Sequence, residues 1–109
     1  MSCIFCSIAK GEVPANVVHK SENVVAFNDM SPQAPVHVLV VPKGHVTGIN
    51  ELGKVLPDIF KSAMEVARIK GIDKSGFRIV MNNGSDAGQA VDHIHFHVLG
   101  GRQLAWPPG

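Results

Sequence analysis

The chain has 109 residues, 45% of them apolar and 17% charged, and ten Lys and Arg against nine Asp and Glu give a formal net charge of +1. That length supports one hydrophobic core without disulfide staples, and the composition is globular rather than disordered. No basic or acidic block offers a long-range field to a nucleic-acid polymer or an anionic membrane, and the longest aliphatic run, Val38 to Val41, is far too short to span a bilayer.

In chain order, Ser2 to Lys10 reads as a short helix ended by Gly11, with Pro14 preventing continuation. The first twenty residues hold no continuous apolar stretch of the signal-peptide kind, so the cytoplasm is the expected compartment. There Cys3 and Cys6 would be reduced thiols or metal ligands. Asn23 to Asp29, rich in Val and Phe, and the β-branched His37 to Val41 read as strands bounded by turn-forming residues. From Leu52 to Arg68 apolar residues recur at spacings of three and four, the pattern of an amphipathic helix, and Pro57 places its true start later than Leu52. Gly71 is a terminator, Phe77 to Asn82 a strand, Asn83 to Gly88 a polar loop, and Asp92 to Leu99 a further strand. No repeat or linker interrupts this order, so residues 1–109 are expected to form a single α+β domain.

The last strand carries the chemistry. In His93-Ile94-His95-Phe96-His97-Val98-Leu99 three imidazoles alternate with apolar residues, which places the rings on one face at a spacing of about 6.6 Å. A neutral imidazole can attack phosphorus while a neighbour holds or passes a proton. Histidine is uncommon, and half of the six in this chain lie within five positions, which argues against three solvent-facing fillers. A sharper rival is a His-x-His metal pair with His37 or His45 as third ligand and an open position for water, which spacing alone allows.

This segment fits the histidine triad motif at every position. With Ser31-Pro32-Gln33-Ala34-Pro35, His37, Pro42-Lys43-Gly44-His45 and the tail Gly100 to Gly109 ending in Trp-Pro-Pro-Gly, the chain resembles the Hint branch, the histidine triad nucleotide-binding proteins, over essentially its whole length. The resemblance implies an antiparallel sheet of about five strands, one main helix and a short amino-terminal helix in the layered α+β manner. It also implies a dimer that joins two sheets, with Trp106 in a tail reaching toward the partner. The activity implied is hydrolysis of purine nucleoside phosphoramidates, or nucleotidyl transfer, at the α-phosphate of AMP- or GMP-type substrates. The alternatives are a nucleotide-binding regulator with little catalysis and a dinucleoside polyphosphate hydrolase.

Residue by residue, the resemblance makes His95 the nucleophile, His97 a phosphate contact, His93 the support of the nucleophile's ring, and His37 a further active-site histidine. Asp29 corresponds to an acid that binds the ribose hydroxyls, although an Asp before Ser31-Pro32 also caps turns. Asn82 corresponds to a nucleotide contact, and Gly88-Gln89 could gather backbone N–H groups around an anion. Many Hint members have a serine where Ala90 stands, and alanine cannot donate that hydrogen bond.

Catalysis on this plan requires no cofactor. Cys3 and Cys6 could nevertheless hold a structural Zn²⁺ completed by His45 and His93, as the resemblance suggests, or be half-buried thiols packing Ile4 and Phe5 into the core. A redox role for the pair lacks a surrounding βαβ pattern.

Overall fold

The computed structural model of the chain describes residues 3–109. It opens with a short helix, α1 (Ile4–Ala9), followed by strands β1 (Val17–Lys20), β2 (Val24–Asn28) and β3 (Val36–Pro42). Two short 3₁₀ turns, Ile49–Glu51 and Gly53–Val55, lead into helix α2 (Leu56–Ile69), and β4 (Phe77–Met81) and β5 (Phe96–Gly100) complete the fold. The strands form one antiparallel sheet in the order β1-β2-β3-β5-β4.

The expected α+β architecture of five strands and one main helix is therefore present. Helix α2 starts at Leu56 with Pro57 in its first turn, where the missing N–H costs nothing, and Leu52 is buried in the preceding turns instead. Helix α1 begins after Cys3, and Ser2 of the expected helix lies outside the described residues. Gly11 does end it: at φ 76° it lets its own N–H reach the Ile8 carbonyl and that of Glu12 reach Ser7.

The structure adds one strand and moves the start of another. Strand β1 has no clear sequence signal, because Val17-Val18-His19-Lys20 offers only two apolar residues and gains its identity by pairing with β2. The last strand begins at Phe96 rather than Asp92, so His97 is the strand's histidine and His93 and His95 lie in the segment entering it. Ile94 in that segment donates its N–H to the Val46 carbonyl, outside the sheet ladder.

Strands β2 and β3 are covered on both faces, which is why they read as continuous apolar runs rather than alternating ones. On one face, Val24, Ala26, Val38, Val40, Phe96 and Val98 pack against Ile59, Ala63, Val66 and Ala67 of α2. On the other, Val25, Phe27, Leu39 and Val41 pack against Phe5 and Ile8 of α1. Each such side chain contributes roughly 1.5–3 kcal/mol on burial, so the α2 layer, with thirteen buried residues against six in the α1 layer, carries the larger share. No helix among the described residues is long and apolar enough to cross a membrane. His37 and His97 project on the α1 side, since they alternate with residues of the α2 core.

Candidate active site and metal centre

The pairing of β3 with β5 sets Leu39 opposite His97 and His37 opposite Leu99, so the two histidines are diagonal neighbours on one face. Their rings meet with His37 Nε2 2.8 Å from His97 Nδ1. The backbone N–H of Gln33 donates to His37 Nδ1 at 3.0 Å, which leaves the proton of a neutral His37 on Nε2. His37 then donates to His97 Nδ1, and the proton of His97 must lie on Nε2. That Nε2 is buried and has no hydrogen-bond partner among the described residues. An unpaired buried donor costs about 1–3 kcal/mol, and a bound acceptor would recover it.

His95 is fixed in the opposite sense. Its Nδ1 lies 2.9 Å from the carbonyl oxygen of His93, which can only accept, so Nδ1 carries the proton and Nε2 keeps a lone pair. The ring is 5% exposed, lies with its centroid 5.0 Å from that of His97, and lines a cleft. A lone pair on one imidazole thus stands beside an unsatisfied N–H on the next.

Burial keeps the His37 and His97 rings neutral. Desolvation first, and then the neighbouring His95 and His37, lower the pKa of His97 to about 4, against a smaller opposing effect of Asp29. Burial also lowers that of His37, again opposed by the Asp29 carboxylate.

The cleft has a volume of about 650 Å³ and is walled by apolar groups of α1 and the sheet, among them Ile4, Phe5, Ile8, Phe27 and Leu39, with Asp29, His95 and His97 at its polar side. Asp29 both closes a turn and lines the cleft. One carboxylate oxygen accepts the Ser31 N–H at 2.7 Å, closing a turn, and the other faces His37 Nε2 at 3.4 Å from inside the cleft. Ala90 lines the cleft, whereas Asn82 and Gln89 do not. The Gln89 side chain instead braces its loop, accepting from the Gly84 N–H and donating to the carbonyls of Thr47 and Val91, so its amide is already engaged.

His93 faces a different cluster. It is fully buried, and its Nε2–H donates to the Pro42 carbonyl at 2.9 Å, turning the Nδ1 lone pair toward the thiols of Cys3 at 3.3 Å and Cys6 at 3.5 Å. His45 Nδ1 lies 3.4 Å from Cys6 Sγ, and the four ligand atoms lie within 4.8 Å of one another. A tetrahedral zinc with bonds of about 2.1 Å to nitrogen and 2.3 Å to sulfur needs ligand edges of about 3.6 Å. The tetrad therefore fits a closed four-ligand site, and the Pro42 carbonyl supplies the outer hydrogen bond that orients a metal-bound imidazole. A second grouping, Asp29, His37 and His97, is also compact. There, however, the Gln33 N–H forces a proton onto the very His37 nitrogen that would have to ligate.

A five-stranded antiparallel sheet with a paired-histidine site on the face opposite its main helix defines a class of small α+β histidine proteins, and similarity to known proteins gives the class a name. The model of the HIT domain family matches residues 10–104, and the chain belongs to that family. A HIT family hydrolase from Legionella pneumophila, known by crystal structure, is 46% identical, with a TM-score of 0.94 over 99% of this chain and 100% of its own. A histidine triad nucleotide-binding protein from Candida albicans is 33% identical, with a TM-score of 0.86 over 97% of this chain and 83% of its own. A 14 kDa zinc-binding protein of Zea mays is 43% identical over 97% of this chain and 87% of its own length.

Proposed function

We propose that this protein is a nucleotide hydrolase and nucleotidyl-transferase of the Hint branch, cleaving the P–N bond of purine nucleoside phosphoramidates of AMP or GMP through a covalent intermediate on His95. The observation that carries this reading is the lone pair on His95 Nε2 beside the unsatisfied Nε2–H of His97, on two residues that line a cleft whose other walls are apolar. The apolar walls suit a base, and Asp29 suits the ribose hydroxyls. The similarity to the Candida albicans protein, which is named for nucleotide binding, supports the same substrate class.

In the first step His95 Nε2 forms a bond to the α-phosphorus and the P–N bond breaks. The amine departs with that electron pair and takes a proton from solvent. The His97 Nε2–H holds a phosphoryl oxygen as charge builds there, with His37 fixing the tautomer that makes this N–H available. Nucleotidylation makes the His95 ring cationic, and the His93 carbonyl on Nδ1–H stabilises it. Water then attacks phosphorus, the P–N bond to His95 breaks with its electrons returning to Nε2, and the water proton replaces the one consumed. Two easier displacements replace one hard one.

Cys3, Cys6, His45 and His93 would hold a structural Zn²⁺, a reading favoured by the fit of the tetrad and by the name of the maize relative. A bound zinc supplies a rigid tie, since four protein ligands leave no position for substrate water. Thiolate ligands of this kind belong in a reducing compartment, which supports the cytoplasm, and the protein is expected to work as a homodimer.

The test is intact mass spectrometry after rapid mixing with adenosine 5′-phosphoramidate and acid-free denaturation. An adduct of one adenylyl group is expected on the wild type and none on His95→Ala, whose turnover should fall by at least about 10³-fold. Wild-type turnover by His95→Ala would sink the covalent reading.

A further inference from the structure

Helix α1 belongs to two sites at once. Cys3 at its N-cap and its Cys6 belong to the metal tetrad, while Phe5 and Ile8 wall the nucleotide cleft, and Ile4 lines the cavity on each side. Phe5 is the physical link between them. It is 6% exposed, and its ring lies edge-on to both His93, at a centroid distance of 5.7 Å, and His95, at 5.2 Å. One aromatic side chain therefore packs against a metal ligand, the nucleophile and the cleft.

Apart from the packing of Phe5 and Ile8 on the sheet, little holds this helix in place. It has six residues, no side-chain cap at Cys3 and no acidic residue in its first turn, and its buried residues are Phe5 and Ile8 alone. A helix so short does not persist without tertiary anchors. A metal on the tetrad would tie its first turn to His45, ahead of α2, and to His93, at the entry to β5, and so hold Phe5 against His95. Without the metal, two thiols and two imidazoles keep only weak sulfur contacts of 3.3–3.5 Å.

We propose that Phe5 is a positioning residue through which the Cys3–Cys6–His45–His93 metal site sets nucleotide affinity, so that metal and nucleotide bind with positive coupling. This rests on the reading of the cleft as a nucleotide site. Coupling of this kind is reciprocal: the factor by which zinc tightens the nucleotide is the factor by which the nucleotide tightens zinc.

Two titrations on the full chain test it. AMP is titrated calorimetrically into zinc-loaded and metal-free protein, and zinc affinity is measured against a chromogenic chelator with and without saturating AMP. Both should move by the same factor, within roughly 5- to 150-fold. Phe5→Leu, which keeps an apolar side chain but loses the ring edges on His93 and His95, should still bind zinc while the factor falls toward one. Amide exchange of the metal-free protein should quicken in residues 3–12 and stay slow in the sheet and α2. Equal AMP affinity with and without zinc, undiminished coupling in Phe5→Leu, absence of zinc binding, or global loss of protection on metal removal would each overturn the inference while the nucleotide reading stands. Absence of AMP binding to the zinc-loaded protein would overturn both.

Discussion

At the scale of single residues, the three triad histidines differ more than their equal spacing suggests, and backbone groups make the difference. The Pro42 carbonyl turns His93 toward the thiols, the His93 carbonyl bares Nε2 of His95, and the Gln33 N–H, acting through His37, sets the proton of His97 on Nε2. These assignments could not be read from the sequence, because carbonyl and amide positions depend on loop paths that residue identity does not encode. The type of residue was legible there, but its tautomer was not. The neutrality of His97 has a consequence for stability. Its folded pKa is about 4 against an ordinary 6.5, so between those values the unfolded chain binds a proton that the folded one does not. Stability contributed by the neutral, buried ring is then complete above about pH 6.5 and is lost as pH falls through the folded pKa. The groups facing it are His37 and His95, which oppose its protonation, and Asp29, which favours it. The urea midpoint should accordingly be lower at about pH 5 than at about pH 7.5, and His97→Gln should show a shallower loss over that window. An unchanged slope in the variant would mean that His97 does not titrate as a buried neutral group.

At the scale of elements, the turn leaving β5 does more than end a strand. Gly101 has φ 88°, and a Cβ there would come within 2.9 Å of Pro35 Cβ. The turn also sends Arg102 to the Gln33 carbonyl at 2.9 Å, on the same residue whose N–H fixes His37. Gly101→Ala meets both a left-handed backbone and a collision, and should cost about 1–3 kcal/mol. For a domain of this size each kcal/mol is roughly 4–8 °C in Tm. Differential scanning calorimetry checks this, and a loss of under about 0.5 kcal/mol would show that the Pro35 loop yields freely. Elements with strong internal patterns were legible in the sequence: α2 by its period, β2 and β3 by continuous apolar runs, α1 by Gly11 and Pro14. Strand β1 was not, since its pairing with β2 supplies what Val17 to Lys20 lack. The start of β5 was misplaced because an extended segment shows the same alternation whether or not a neighbour completes its ladder, and the Ile94 N–H goes to Val46 instead. Of the Cys3–Cys6–His45–His93 tetrad, spacing pointed to Cys3 and Cys6 alone; His45 and His93 were supplied by the family resemblance, and they meet the thiols because β3 and the entry to β5 end near α1.

At the scale of the whole molecule, the sheet is asymmetric. Its α2 face is sealed by a 14-residue helix, whereas the other face is covered by α1 only over β2 and β3. Toward β4 that second face carries Arg78 and Val80, each partly exposed, and the tail lays Trp106 beside Arg78 with the guanidinium 5.9 Å from the ring centre while leaving Trp106 80% exposed. Strand β4 is an outer strand with no proline and one charge, which leaves its edge unprotected against pairing. A net charge of +1 provides little repulsion to keep copies apart. These features favour association of two copies through the β4 side, in keeping with the dimer that the family resemblance implies. Sedimentation equilibrium should return twice the 11.6 kDa of one chain. Val80→Asp is the discriminating variant. Val80 pairs with His97 and so lies on the face away from the α2 core, where a carboxylate leaves the packing of Phe77, Ile79 and Met81 intact but would lose its hydration if two copies met there. It should sediment as one chain with an unchanged circular dichroism spectrum. A wild type that sediments at 11.6 kDa would remove the dimer, and a dimeric Val80→Asp would move the interface to another surface of the molecule.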